Sequence, residues 1–150
     1  MHLYYLCRIN IAGMDVLQHI REKGLKATPA RLKVIKFLES SHLAYSHAEL
    51  ETHFYKTDRV TLYRILNDFE EVGLLHKIID IEGVTRFAVC KDTCPDGHHV
   101  DDHVHFNCKV CHKMFCIETV QTPHLKMPIG FKSMGLQTLI YGLCNSCSVA

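Results

Sequence analysis

The 150-residue chain has no tryptophan, only four prolines and eight glycines, and almost no net charge, with 17 Lys and Arg against 16 Asp and Glu. The scarcity of proline and glycine leaves no low-complexity tract, and the composition is that of an ordinary globular chain with room for one sizeable domain or two small ones. The charge balance removes any molecule-wide pull toward nucleic acid, so DNA binding would have to come from one local basic face. No apolar run approaches the roughly 20 residues that span a bilayer. The chain also lacks His-Glu-x-x-His and the His-x-Glu…Pro-Cys-x-x-Cys pattern, which argues against zinc hydrolase and deaminase chemistry. The opening stretch MHLYYLCRINIAG is apolar but too short for a membrane span. It also lacks the longer apolar core and small-residue cleavage site of a signal peptide. Residues 1–13 are therefore read as an N-terminal extension, with Met14 an alternative start. A cytoplasmic location is expected, where cysteines stay reduced and metal binding is favoured over disulfides.

What the chain has in quantity is metal-binding side chains: eight cysteines and twelve histidines. The stretch DDHVHFNCKVCHKMFC, from Asp101 to Cys116, holds three of each. Cys108-x-x-Cys111 and Cys144-x-x-Cys147 form two knuckles, and four thiolates suit one tetrahedral Zn²⁺ in a structural role. A thioredoxin-like redox pair would need a βαβ context, and two matching pairs would then be odd. The remaining donors need a separate account. His103 and His105 are two apart on an expected strand, so both project from one face. With Cys116 on the next strand, and His76 and Cys90 on the two strands of an expected hairpin, they could converge on a second, regulatory ion. Cys94 and Asp102 are held in reserve as ligands. Imidazole and thiolate together favour Zn²⁺ over hard-oxygen metals. The plain alternative is that several of these histidines are solvated and Cys90 is a small buried hydrophobe.

Residues 14–90 read as helices followed by a hairpin. MDVLQHIREKG places Val16, Leu17 and Ile20 on one face and stops at Gly24. TPARLKVIKFLES offers Thr28 as N-cap, Pro29 at the first helical position and Leu32, Ile35 and Leu38 as a stripe. Ser46 and Glu49 form a capping box. In TDRVTLYRILNDFEEVG, capped by Thr57 or Asp58 and closed by Gly73, Leu62, Ile65, Leu66 and Phe69 face the core. Arg59, Tyr63 and Asn67 share an exposed stripe. LLHKIID and VTRFAVC, joined through Gly83, form a hairpin. This is the order of a winged helix-turn-helix. Residues 91–102, rich in Pro, Gly and Asp, read as a linker. Residues 103–150 carry strand-like pieces at HVHFNC, KMFCI, FKSMG and LQTLIYGLC, while Pro123 and Pro128 argue against a long helix between them. The expected fold class is α+β, a winged helix-turn-helix followed by a small α/β zinc-bound domain.

These pieces in this order resemble the ferric uptake regulator family of metal-dependent repressors, over about Met14 to Cys147. The carriers are GLKATPARLKVIKFL, Thr61-Leu62-Tyr63-Arg64 within the fourth helix, HVHFNCKVC and YGLCNSC. The resemblance implies a C-terminal dimerisation domain and a homodimer on palindromic double-stranded DNA. By position it places Thr61, Tyr63 and Arg64 on the recognition helix, Lys26 at the minor groove and Arg31 on the DNA backbone. Arg59 joins them from the exposed stripe. Iron-type members carry a carboxylate where Cys116 stands and a glutamate where Ala88 stands, and Leu136 replaces an auxiliary histidine. Cysteine and histidine ligands at the positions of Cys90 and His76 occur in zinc uptake regulators. The expectation is a zinc-responsive repressor with one structural and one regulatory Zn²⁺ per chain, and not an enzyme. The alternatives are an iron-, manganese- or peroxide-sensing repressor holding Fe²⁺ or Mn²⁺ at the second site, and a zinc-ribbon module that binds protein.

Overall fold

The computed structural model describes residues 16–89, 103–121, 125–134 and 136–149. Helices α1 (Val16–Glu22), α2 (Pro29–Ser41), α3 (His47–His53) and α4 (Arg59–Glu71) precede a hairpin of β2 (Leu75–Ile79) and β3 (Thr85–Val89), with a short strand β1 (Leu43–Ser46) inserted before α3. The C-terminal part contributes β4 (His103–Cys108), β5 (Met114–Gln121), β6 (Thr138–Gly142) and one turn of helix, α5 (Asn145–Ser148).

The helices begin where their caps are. Thr28 Oγ1 accepts from Arg31 N at 3.3 Å, with Pro29 at the first helical position. Ser46 Oγ accepts from Glu49 N at 3.2 Å while Ser46 N donates to Glu49 Oε2 at 2.7 Å, a reciprocal box. Asp58 Oδ2 accepts from Thr61 N at 2.9 Å and so caps α4. Gly24 and Gly73 follow α1 and α4 with φ of +78° and +73°, the left-handed geometry that ends a helix. The main core gathers Ile20, Val34, Ile35, Leu38, Leu50, Leu62, Ile65, Leu66, Phe69, Leu74, Leu75 and Phe87. Each fully buried aliphatic or aromatic side chain there contributes about 1.5–3 kcal/mol.

The strands form one six-stranded sheet in the order β2-β3-β1-β5-β4-β6. Strand β1 makes this possible because both its edges are used. Tyr45 pairs antiparallel with Phe87 on β3, and Leu43 and Ala44 pair antiparallel with Phe115 and Met114 on β5. The sheet curls so that Gln137, just before β6, reaches the outer edge of β2. Its side chain donates to Ile79 O at 3.0 Å and accepts from Ile79 N at 3.4 Å, as a neighbouring peptide would. Inside the curl a second small core collects Ala44, Ile78, Ala88 and Met114, from four different strands, against Cys116 and Leu139.

The wing turn is tied down by a buried ion pair. Asp80 Oδ1 accepts from Glu82 N and Val84 N at 2.9 and 2.8 Å, and Oδ2 accepts from Arg86 Nε at 2.8 Å. Arg86 Nη1 then donates to Glu49 Oε2 at 2.8 Å, joining the wing to the cap of α3.

Two expectations need correction. The piece FKSMG is not a strand: Phe131–Met134 is irregular and exposed, following a turn closed by Phe131 N to Pro128 O at 3.1 Å. The last strand is shorter than LQTLIYGLC and covers only Thr138–Gly142, parallel to β4. Strand β1 was not anticipated. The expected linker, residues 91–102, lies outside the described residues.

Candidate metal centre and nucleic-acid face

The two cysteine knuckles meet. Cys108 ends β4, and the backbone turns at once, with His112 N donating to Cys108 O at 3.0 Å and Cys108 N to Lys113 O at 3.0 Å, which brings Cys111 back beside it. Cys144 precedes α5, whose single turn returns Cys147 through Cys147 N to Cys144 O at 3.0 Å. Parallel pairing of β4 with β6 puts the knuckles side by side, through Lys109 N to Gly142 O at 2.8 Å. The ligand atoms of Cys108, Cys111, Cys144 and Cys147 all lie within 4.8 Å of one another, with Cys111 Sγ 3.8 Å from Cys144 Sγ.

The electrostatics of this cluster favour a cation. The backbone N–H groups of Cys111 and Cys144, with that of Val110, pull the Cys108 thiol down to about 6. Cys147 is pushed up to about 12, by its hydrogen bond to Cys144, by burial, and by the sulfurs of Cys108 and Cys111. Protons alone thus allow one thiolate easily and resist the last. A soft divalent ion removes that conflict, and four thiolates at this spacing fit tetrahedral Zn²⁺.

The second donor set is assembled in part. His76 on β2 and His105 on β4 are buried, 2% and 0% exposed, with ring centroids 5.3 Å apart. Cys116 on β5 is the register partner of His105. The residue opposite His76 on β3 is Ala88, and small side chains at Ala88 and Ala44 keep this part of the curl narrow. Among the described residues, only the four cysteines bring three or more donors within 4.8 Å. Cys90, Cys94, Asp102 and the side chain of His103 lie outside the described residues. The β4–β5 register also shifts between His103 and Val104, with the additional residues on β5.

The exposed face of α4 is polar and basic. Leu62, Ile65, Leu66 and Phe69 are buried, whereas Arg59, Thr61, Tyr63 and Arg64 face outward, Tyr63 at 56% exposure. Lys26 is exposed on the loop before α2. Arg31 is already engaged: it pairs with Asp68 on α4 and donates Nη1 to Lys26 O at 2.9 Å, tying α2 to α4 and steadying the loop of Lys26. Two residues on α3 were not singled out in the sequence. Glu51 Oε1 lies 2.9 Å from Arg59 Nε and 3.4 Å from His47 Nδ1, and the His47 ring meets Tyr63 at 5.9 Å between centroids. Their spacing of four on α3 puts them on one face, but nothing in the sequence says that this face meets α4.

The sequence profile of the ferric uptake regulator family matches residues 22–129. The chain therefore belongs to that family, whose members are metal-responsive transcriptional regulators. Among curated relatives it is 27% identical over 143 residues to the ferric uptake regulation protein of Bordetella parapertussis, covering 89% of this chain and 97% of that one. It is 26% identical over 143 residues to the peroxide operon regulator of Bacillus subtilis, covering 89% and 92%. Among solved structures, a zinc uptake regulator complexed with zinc and DNA shares the fold at a TM-score of 0.59 and 18% identity, over 88% of this chain and 89% of that one. No helix of the described residues is long and apolar enough to cross a membrane.

Proposed function

We propose that this regulator is a zinc-responsive repressor that binds palindromic operator DNA as a homodimer in the cytoplasm. The observation that carries the reading is the position of His76 and His105. These two buried imidazoles adjoin across the wing strand β2 and the C-terminal strand β4. Together with the thiol of Cys116, this is a nitrogen–sulfur donor set, and such a set favours Zn²⁺ over Mn²⁺ or Fe²⁺. His76 and His105 would hold a regulatory ion between them and so fix the wing against the C-terminal sheet, with Cys90, His103 and Cys116 as the further ligands. The four clustered cysteines would hold a separate structural zinc. Lys26, Arg59, Thr61, Tyr63 and Arg64 supply the DNA face, and Arg31 holds Lys26 to α4. The homodimer is supported by β6. It is the last strand of the sheet, and Ile140 and Tyr141 on it, with Leu143 just beyond its end, are exposed, at 42, 59 and 52%. A two-fold dimer presents two recognition helices to successive major grooves about 34 Å apart.

The second reading is an iron-, manganese- or peroxide-responsive repressor, and the relatives named for iron uptake and peroxide response favour it. One experiment separates the two. Metal content and binding to duplex DNA are measured on the same protein before and after mild chelation, then after reloading with Zn²⁺, Fe²⁺ or Mn²⁺. Two zincs per chain, one lost readily together with DNA affinity and restored by Zn²⁺ at the lowest free concentration, is the expected result. Restoration by Fe²⁺ or Mn²⁺ at far lower free concentration selects the second reading.

A further inference from the structure

Arg59 is the first residue of α4, and its side chain is 81% exposed. A free arginine there would sample many rotamers, and ordering it on contact would weaken whatever it reads. The preceding helix constrains it instead. Glu51 places Oε1 2.9 Å from Arg59 Nε, a charge-to-charge contact without the alignment of a hydrogen bond. The same oxygen lies 3.4 Å from His47 Nδ1, and the His47 ring stands edge-on to Tyr63. Glu51 and His47 thus buttress two neighbouring side chains of the outward face.

The chemistry of the pair indicates what Arg59 is for. A guanidinium is a planar fork whose Nε side and two terminal nitrogens point in different directions. Glu51 takes the Nε side, so the terminal nitrogens keep the geometry that matches O6 and N7 of guanine. A phosphate contact would gain nothing from Glu51, because a carboxylate beside the guanidinium repels phosphate and dilutes the attraction. First-turn residues of a recognition helix are also the ones that reach base edges. The geometry points to Glu51 as a positioning residue that assigns Arg59 to a guanine edge rather than to the DNA backbone, with His47 holding Tyr63 beside it. This inference rests on the DNA-binding reading above. It adds a base contact and the residue that specifies it.

The test uses the full-length, zinc-loaded protein. A random duplex library is enriched with the wild type. Affinities are then measured for the enriched duplex and for a scrambled duplex of equal length, with Glu51→Ala, Glu51→Gln, Arg59→Ala and the Glu51→Ala/Arg59→Ala double variant. Circular dichroism and thermal midpoints monitor folding. An exposed pair of this kind contributes little to stability, so midpoints should barely move. The expected result is a specificity ratio about tenfold lower in both Glu51 variants, the scale of one base contact. Affinity for the scrambled duplex should be equal or higher, because a negative charge has gone. The guanine preference at one position should also be lost, with no further fall in the double variant. An unchanged ratio, or a Glu51 effect that persists in the Arg59→Ala background, overturns the assignment. A wild type that enriches no sequence overturns the DNA-binding reading itself, a different failure from the first.

Discussion

At the scale of single residues, the most informative group outside the two donor sets is Asp80. Burial pushes its carboxyl up, but the hydrogen bonds from Arg86, Val84 and Glu82 and the charge of Arg86 together outweigh burial, so it is held below 3.8. A carboxylate lowered by folding stabilises the native state at every pH above its unfolded value, and that contribution is lost as pH falls through the folded value. The contribution of Asp80 is therefore complete at neutral pH and disappears in acid. The side chains of Asp80 and Arg86 are only 2% and 6% exposed. Breaking a buried pair by removing one partner costs about 3–5 kcal/mol, because the other charge is left desolvated. Arg86 keeps its contact with Glu49, so Asp80→Asn should fall at the low end of that range, about 3 kcal/mol less stable than the wild type in urea at pH 7. The gap should narrow below about pH 4 as the wild-type carboxyl protonates. A gap that stays constant between pH 7 and pH 3 would show that the charge is not the source. Local signals such as the Ser46–Glu49 box and Asp58 were legible because a cap needs only residues within four positions. The Asp80–Arg86–Glu49 chain was not, since its last link joins residues 37 apart.

Among elements, α4 carries two separable jobs on two faces. Leu66 is fully buried in the main core, and Arg64 is exposed on the opposite side. Leu66→Ala should lower stability by about 2–5 kcal/mol, from lost burial and the cavity left behind. The folded fraction should still bind duplex with wild-type affinity. Arg64→Ala should do the reverse. Its unfolding midpoint and zinc content should stay put, while affinity for the enriched duplex falls about tenfold or more and the salt dependence becomes shallower by about one unit if the contact is to phosphate. Equilibrium denaturation and anisotropy titrations at several salt concentrations separate the two. Equal loss of stability from both variants would mean that α4 does not present the faces described. The helical period made this division legible from sequence. Strand β1 was opaque for a physical reason: LAYS is only four residues between two helices, too short for alternation to show, and its partners lie about forty and seventy positions away. FKSMG misled in the opposite sense, since apolar residues at Phe131 and Met134 looked like a strand yet are exposed.

For the whole molecule, the question is what joins the DNA-reading half to the C-terminal half. Two kinds of bond do so. One is permanent: β1 hydrogen-bonded on both edges, the small core of Ala44, Ile78, Ala88 and Met114, and Gln137 clipped to Ile79. The other, on the function proposed above, would depend on metal loading at His76 and His105. The donor residues were legible as types, but their meeting depends on the curl of the sheet, which brings β2 over β4 although three strands separate them in the sheet order. Because the permanent set remains when the second site is empty, the halves should stay docked on mild chelation and only β2 should loosen. Hydrogen exchange should then quicken at Leu75–Ile79, with the core amides of α4 from Leu62 to Phe69 unaffected. A chelator strong enough to empty the four-cysteine site removes far more stabilisation, about 10–16 kcal/mol of apparent binding energy at neutral pH for sites of this kind. Exchange should then spread to His103–Cys108 and Thr138–Gly142, the strands that carry the knuckles. Two steps, in that order and in those segments, are what this arrangement requires. If exchange rose evenly across both halves at the first step, the permanent contacts would not be holding the molecule together, and ligand binding at His76 and His105 would have to do all of it.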